Sequence, residues 1–375
     1  MHSYGYNVLV LGCQHNVYDG EKIAHVLDQL GHFSTSERDA DLIIILSCSV
    51  RQKAIDRIHG KIGYWRKLKK PKKVIITACV LPKEKEIFKP VVDAIVPPTE
   101  IIDYLIKNYQ IVTSNATRVT PTKIKDFIPK DCKHAYVPIT IGCNNFCTYC
   151  AVPFTRGREA SRLESEILLE IENLANTGIS EITLLGQNVN SFGLSDWNPR
   201  DLRKNRDKTG RAWSGVNPSP FVILLDQIEK TGKIQKLSFL SPNPQDMSDD
   251  LLDWMAKSSI FSHELNLPVQ SGDDEVLHRM NRRYSRQEYL DLVKKIKKAV
   301  PNIWLSTDVI VGFPGETIEQ FENTVNLVKQ VGFKKAFIGQ YSPRPGTISA
   351  KLYVDDIPQK EKKRRWKVLD DLING

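Results

Sequence analysis

The chain predicts an α/β protein, an N-terminal parallel α/β sheet domain followed by a partial (β/α)6 barrel. Three observations carry that prediction. Short, continuous β-branched runs alternate with helix-period segments along most of the length. Many of those runs end in a cysteine or in a polar, glycine-rich stretch. The hydrophobic fraction, 41% of 375 residues, is enough for two or three buried cores.

The N-terminal domain is placed at residues 1–110. Residues 7–12, 41–46 and 73–78 are predicted strands, and Cys13, Cys48 and Cys79 follow them. Segments 19–30 and 52–68 supply the crossover helices. Apolar runs of this kind, buried on both faces, belong to a parallel sheet, whose ligands bind beyond the carboxyl ends of the strands. All three cysteines are therefore expected on one edge of one sheet. A single cysteine there is an ordinary small buried hydrophobe, but the same placement three times points to a thiolate constellation. The basic run 65–73 ends the second helix, where it suits RNA phosphates or simply a solvated helix terminus. Residues 111–134 are a polar linker, and Cys132 within it is given no role.

The barrel is placed at residues 135–358. Predicted strands are 136–141, 181–185, 236–240, 264–267, 304–311 and 335–340. Predicted helices are 163–176, 221–230, 248–257, 286–300 and 318–331. Six βα units are too few to close an eight-unit barrel, so an open one is expected, with its site at the strands' carboxyl ends. After the first strand comes Gly142-Cys143-Asn144-Asn145-Phe146-Cys147-Thr148-Tyr149-Cys150, three cysteines at C-x3-C-x2-C spacing. Soft thiolates converging in one loop are metal-cluster donors. Zinc sites instead show paired knuckles and a fourth ligand, and no fourth ligand is evident. Gly186-Gln187-Asn188, Ser241-Pro242-Asn243, Gln270-Ser271-Gly272 and Gly312-Phe313-Pro314-Gly315-Glu316 end on the same rim, where glycine permits close backbone approach to a ligand. Arg156 and Arg158 sit beside Phe154, a pairing that suits RNA phosphates and bases. Residues 195–220 are expected to form a long exposed loop. Residues 359–375 form a basic helix, with Trp366, Leu369 and Leu372 docking and the lysines facing water or RNA.

A net charge of +9 suits a polyanionic partner such as RNA. Seven cysteines with no secretion-signal pattern argue for thiolate chemistry in a reducing, cytoplasmic setting. No apolar run reaches membrane-span length.

The chain resembles the radical S-adenosylmethionine methylthiotransferases over nearly its whole length. The resemblance rests on Gly12-Cys13-Gln14, Cys48-Ser49-Val50-Arg51, Ala78-Cys79-Val80, the 142–150 loop, Gly186-Gln187-Asn188-Val189-Asn190, Pro268-Val269-Gln270-Ser271-Gly272 and the 311–317 motif. Cys48 to Arg51 and Val152-Pro153-Phe154-Thr155-Arg156-Gly157 look most like the tRNA-modifying MiaB branch, which makes 2-methylthio-N6-isopentenyladenosine beside the anticodon. By the resemblance, the family's usual C-terminal RNA-binding TRAM domain is expected to be absent from the 375 residues of this chain. The resemblance implies two [4Fe–4S] clusters and S-adenosylmethionine. Cys143, Cys147 and Cys150 would hold the radical cluster, and Cys13, Cys48 and Cys79 an auxiliary cluster that carries the sulfur. Tyr149, Gly186, Gln187, Asn188, Ser306, Asp308 and Gly312 become candidate cofactor contacts, and Arg156 and Arg158 candidate substrate contacts. No side-chain acid or base is invoked, because the adenine C2–H bond needs a radical. A tRNA substrate, an electron donor such as a flavodoxin or ferredoxin, and a monomer are expected. The rivals are a methylthiotransferase acting on a ribosomal protein or on another modified tRNA adenosine, and a non-enzymatic, metal-stabilised RNA-binding protein.

Overall fold

A computed structural model of the chain describes residues 3–48, 52–68, 70, 72–110, 133–194 and 218–375. Cys132 with nearly all of the predicted linker, Ser49, Val50 and Arg51, and most of the predicted 195–220 loop lie outside the described residues. The chain divides into two compact units. The first takes Met1–Cys132 with Phe154–Arg156 and Arg344–Gly346, and the second takes Lys133–Pro153, Gly157–Pro343 and Thr347–Gly375.

The first unit is built on a parallel sheet of five strands: β1 (Gly5–Val10), β2 (Phe33–Ser34), β3 (Leu42–Ser47), β4 (Lys73–Ala78) and β5 (Ala94–Ile95), in the order β2-β1-β3-β4-β5. Four helices connect and cover them: α1 (Gln14–Gln29), α2 (Gln52–Trp65), α3 (Pro82–Phe88) and α4 (Ile101–Tyr109). Every residue of β3 is buried, and because successive side chains point to opposite faces, burial of both faces explains the apolar run 42–46. Leu42, Ile44 and Leu46 pack with Ile23 and Leu27 of α1 and Leu105 of α4. Ile43 and Ile45 face the other way, onto Ile55, Ile58, Ile62 and Trp65 of α2.

Helix α1 starts five residues before its predicted start at 19, directly after Cys13. The Cys13 carbonyl accepts from the Asn16 and Val17 amides at 2.8 and 3.1 Å, so this cysteine caps the helix. The polar sequence of that first turn, with His15 and Asn16, hid the start. The two-residue strands β2 and β5 and the helices α3 and α4 were not predicted. Part of the basic run is engaged with its own sheet. Lys70 pairs with Asp41, Lys72 donates to the Arg38 and Ala40 carbonyls, and Lys73 lies over the Tyr4 ring.

The second unit carries six parallel strands in chain order: β6 (His134–Pro138), β9 (Glu181–Leu185), β10 (Lys236–Phe239), β11 (Glu264–Asn266), β12 (Trp304–Val311) and β13 (Lys335–Gln340). They form two three-stranded sheets, β10-β9-β6 and β11-β12-β13. A parallel bridge between Leu237 and Phe261 joins the two into a partial barrel. An antiparallel ribbon of β7 (Thr140–Ile141) and β8 (Ala160–Ser161) was not anticipated, and it brackets the cysteine loop. The predicted strand 136–141 in fact breaks at Ile139.

Helix α5 (Val152–Thr155) begins in the second unit and ends in the first, and the second unit's other described helices are α6 (Glu164–Asn176), α7 (Pro220–Lys230), α8 (Asp249–Lys257), α9 (Asp274–Arg279), α10 (Arg286–Ala299), α11 (Ile318–Val331), α12 (Ile348–Leu352) and α13 (Gln359–Ile373). Reciprocal capping by Ser285 with Glu288 fixes where α10 begins, and Thr317 with Gln320 does the same for α11. Gly332, at φ 65°, ends α11 in the left-handed conformation. None of the described helices is long and apolar enough to cross a membrane.

Helix α13 corrects one expectation. Two of its cations are buried, with Lys362 at 1% exposure and Arg365 at 3%, while Leu372 is 42% exposed. Lys362, Arg365 and Leu369 fall at helical spacing on the face that packs on the barrel. The long apolar stems of the two cations fill that face, and fixed acceptors meet their heads. The helix also lies along β13. The Trp366 indole donates to the Ile338 carbonyl at 3.0 Å, and the Asn374 amide both donates to and accepts from the Ala336 backbone at 3.0 Å.

Candidate metal centres

The loop between β7 and α5 has no helix or strand of its own, so its shape is set by what ties it. Gly142 sits at φ 78°, and a Cβ there would lie 2.1 Å from the Arg158 carbonyl oxygen, so only glycine fits. Its amide donates to Gln187 Oε1 at 2.7 Å. Asn281 Nδ2 donates to the Asn145 and Phe146 carbonyls at 3.1 Å each. The Thr148 amide donates to the Met280 carbonyl at 3.0 Å, and its hydroxyl to the Arg279 carbonyl at 2.8 Å. The Arg158 guanidinium stacks 4.4 Å above the Phe146 ring.

Each sulfur has an N–H donor. The Asn145 amide points at Cys143 Sγ and the Val152 amide at Cys150 Sγ, both at 3.5 Å, and Arg282 Nη1 lies 3.4 Å from Cys147 Sγ. Arg282 is held in turn by the Tyr284 hydroxyl at 2.9 Å and the Pro268 carbonyl at 2.9 Å. Burial pushes the Cys143 thiol up to about 12, so a thiolate there needs a positive partner. Donor N–H groups, a buried cation and an apolar wall are the surroundings that iron–sulfur thiolates require. Among the described residues no three His, Cys, Asp or Glu side chains converge on a point that one metal ion could fill. A four-iron cluster does not ask for that, since its thiolates sit on different irons. These donors therefore fit a cluster. None of the six described cysteines forms a disulfide.

Most of the remaining sequence-predicted contacts line the same barrel. Tyr149 packs with Val276, Met280, Phe313 and Tyr341, and burial raises its hydroxyl pKa. At Gly186 a Cβ would strike Thr140 Oγ1 at 2.5 Å. Asn188, 3% exposed, donates to Asp246 at 2.9 Å, and its Oδ1 has no partner. Ser306 and Asp308 lie within β12, where Asp308 accepts from Asn266 at 3.2 Å. The Gly312 amide donates to Glu316 Oε2 at 2.7 Å. Glu159 is a further buried carboxyl. It accepts from Ser191 at 2.5 Å, and burial pushes it up to about 7. Sequence reasoning missed Arg279, Asn281 and Arg282. Their signal was a polar, basic stretch running from the end of α9 toward α10.

In the first unit, Cys13, Cys48 and Cys79 follow β1, β3 and β4, three neighbouring strands of one sheet. The Cys79 amide donates to the Ser47 carbonyl at 3.3 Å, which extends the β3–β4 ladder to the cysteine. Arg156 was expected to meet substrate, but its side chain is 3% exposed and engaged inside this unit. Its Nε lies 3.3 Å from Cys79 Sγ, and its Nη2 lies 2.7 Å from Asn16 Oδ1 and 3.2 Å from Asp19. A guanidinium beside a sulfur favours the thiolate. His15 is buried next to it with Nε2 unpartnered, and its pKa is pushed down to about 3, by burial first and then by the Arg156 charge.

Known proteins share sequence and fold with this chain. The family model for the Radical SAM superfamily matches residues 137–328, and a model described as Uncharacterized protein family UPF0004 matches residues 6–97. The fold is like that of the radical S-adenosylmethionine methyltransferase TsrM from Kitasatospora setae, at TM-score 0.55, 12% identity, 93% of this chain and 77% of that one. It is also like the cobalamin-dependent S-adenosylmethionine radical enzyme OxsB, at TM-score 0.52, 9% identity, 100% of this chain and 56% of that one. Partial barrel, cysteine loop and superfamily match define the class, a radical S-adenosylmethionine enzyme, which implies a [4Fe–4S] cluster and S-adenosylmethionine.

Sequence relatives narrow the class. A protein of Caldicellulosiruptor saccharolyticus is 36% identical over 98% of this chain and 77% of its own length. One of Carboxydothermus hydrogenoformans is 39% identical over 99% and 83%. One of Clostridium botulinum is 39% identical over 97% and 80%. All three bear the name tRNA-2-methylthio-N(6)-dimethylallyladenosine synthase. The chain belongs to that family of radical S-adenosylmethionine methylthiotransferases.

Proposed function

We propose that this protein installs a methylthio group at C2 of N6-dimethylallyladenosine in tRNA, next to the anticodon. The observation that carries the reading is near-full-length similarity to relatives bearing that activity's name. It is supported by a second cysteine triad, which a single radical cluster does not require.

In this reading Cys143, Cys147 and Cys150 hold the radical cluster, and Cys13, Cys48 and Cys79 hold an auxiliary [4Fe–4S] cluster. When bound, the radical cluster and S-adenosylmethionine supply a carbon-centred radical able to take hydrogen from an unactivated C–H bond. The chain's own residues orient and shield. Gln187, Asn281 and Thr148 fix the loop, Arg282 offsets thiolate charge at Cys147, and the Gly186–Asn188, Ser306–Asp308 and Gly312 positions face the cofactor. Arg156 supports Cys79, and Arg158 remains the candidate for the tRNA side. An electron donor such as a flavodoxin or ferredoxin is required.

The test is mass spectrometry of tRNA nucleosides from a strain lacking the gene, with and without the gene restored. The reading requires loss of 2-methylthio-N6-dimethylallyladenosine, accumulation of its unthiolated precursor, and recovery on restoration. An unchanged nucleoside profile sinks it.

A further inference from the structure

The C-terminal helix α13 touches the rim that the proposed function assigns to the cofactor, and it does so with buried charge. Arg365 Nη1 donates to Glu316 twice, to its carbonyl at 2.9 Å and to its Oε2 at 2.7 Å. That same Oε2 accepts the Gly312 amide at 2.7 Å. Glu316 is 1% exposed, so the Gly312–Glu316 turn is closed by a carboxylate whose counter-charge comes from α13. One turn earlier on the helix, Lys362 Nζ donates to the Tyr341 carbonyl at 3.1 Å, and it pairs with Asp355. Gly312 sits at φ 68°, and a Cβ there would lie 2.5 Å from Lys362 Cγ. The lysine stem fills the space that a side chain at 312 would need.

The grip runs on to the cysteine loop by two routes. From Tyr341, the hydroxyl donates to Ser349 Oγ at 3.1 Å, and the Ser349 amide donates to the Thr148 carbonyl at 2.7 Å. From the turn, the Pro314 carbonyl accepts from Arg279 Nη1 at 2.7 Å, and the Arg279 carbonyl accepts the Thr148 hydroxyl at 2.8 Å. Thr148 lies between the second and third cysteines of the loop. Packing runs in parallel, since Phe313 and Tyr341 share an apolar cluster against which Tyr149 rests.

We infer that Lys362 and Arg365 are positioning residues for the S-adenosylmethionine site, acting through Gly312–Glu316 and Thr148, and that α13 is part of the catalytic apparatus rather than an RNA-binding face. This rests on the radical S-adenosylmethionine reading of the rim. The helix has two faces with separate duties. Lys367, 70% exposed and paired with Asp371, belongs to the solvated one.

Removing Arg365 alone would strand the buried Glu316 carboxylate. The informative variant is therefore the double substitution Arg365→Met with Glu316→Gln, made in the full chain with its iron–sulfur content reconstituted anaerobically. Equilibrium dialysis then gives S-adenosylmethionine affinity, and 5′-deoxyadenosine release gives KM and kcat. Outer-shell losses of this kind typically weaken binding by about tenfold or more. The expected result is such a rise in the dissociation constant and KM for S-adenosylmethionine, kcat at saturation nearly unchanged, and wild-type iron content. Amide exchange at Gly312 should also quicken in the metal-free protein. Arg365→Lys keeps the charge and loses the two-pronged donor, so it should shift affinity the same way by less, and it carries the test if the double variant does not fold. Lys367→Met should match wild type. Wild-type affinity in a folded Arg365 variant, or an equal loss in Lys367→Met, overturns the inference. A wild-type protein that cannot cleave S-adenosylmethionine would overturn the proposed function instead, and the exchange rate at Gly312 would still decide this one.

Discussion

In the first unit, three sulfurs far apart in sequence ride on the ends of the neighbouring strands β1, β3 and β4. In the second, three sulfurs within eight residues ride on one loop. The sheet sets its cysteines by register. Val10 pairs with Leu46, and Ser47 with Ala78, so the strand ends that precede the three cysteines are set by a ladder of backbone bonds and a doubly buried core. The loop has no ladder. Its place depends on single tethers from Gln187, Arg279, Asn281, Arg282 and Ser349. The same donor chemistry is thus robust in one unit and dependent on individual side chains in the other.

The largest expected effect separates the two triads. Cys147→Ala should abolish both S-adenosylmethionine cleavage and methylthiolation, whereas Cys48→Ala should keep cleavage and lose thiolation. Chromatography of 5′-deoxyadenosine beside nucleoside mass spectrometry reads both, and thiolated product from Cys48→Ala would refute the division of labour.

A second contrast concerns the supports. Arg282→Met and Asn281→Ala should lower cluster content or cleavage by roughly 10- to 100-fold, the usual cost of losing an outer-shell partner, with little change in melting temperature for Asn281→Ala. Ile44→Ala, in the middle of β3, should do the reverse. It should cost about 2–5 kcal/mol in urea unfolding, as buried large-to-small changes do, while the folded protein still cleaves S-adenosylmethionine. If Asn281→Ala retained full iron content, the loop would not depend on its tethers.

The smallest effect is electrostatic. Hydrogen bonds from Arg364 and then Arg365 pull the Glu361 carboxyl down to about 2. A depressed carboxylate stabilises the fold above its ordinary value of 4.5 and loses that contribution as pH falls toward 2. Glu361 is partly exposed, so solvent screening keeps the effect below about 1 kcal/mol. Urea titrations of wild type and Glu361→Gln should differ slightly at pH 6 and converge near pH 2.

What the sequence disclosed follows from physics that is local. Strands β3 and β4 were legible because side chains buried on both faces leave the short apolar runs 42–46 and 74–76. Helices α10 and α11 were legible as helix-period segments, and the structure adds their caps at Ser285 and Thr317. Cys13, Cys48 and Cys79 could be placed on one sheet edge because they follow the ends of neighbouring strands. The tethers were not legible, because Asn281 and Arg282 meet a loop more than a hundred residues away and nothing in their neighbourhood encodes that meeting. The buried role of Lys362 and Arg365 was hidden because a basic helix gives no sign of which cations face a carboxylate.

The last turn of α13 has a further consequence. An open barrel leaves its outermost strand with unpaired backbone groups, an invitation for another molecule's strand to add on. Asn374 answers both groups of Ala336 as a neighbouring strand would, and Trp366 occupies the Ile338 carbonyl. A version of the protein shortened before Gln359 would therefore expose a sticky margin, and it would self-associate as well as lose the support that Lys362 and Arg365 give the rim.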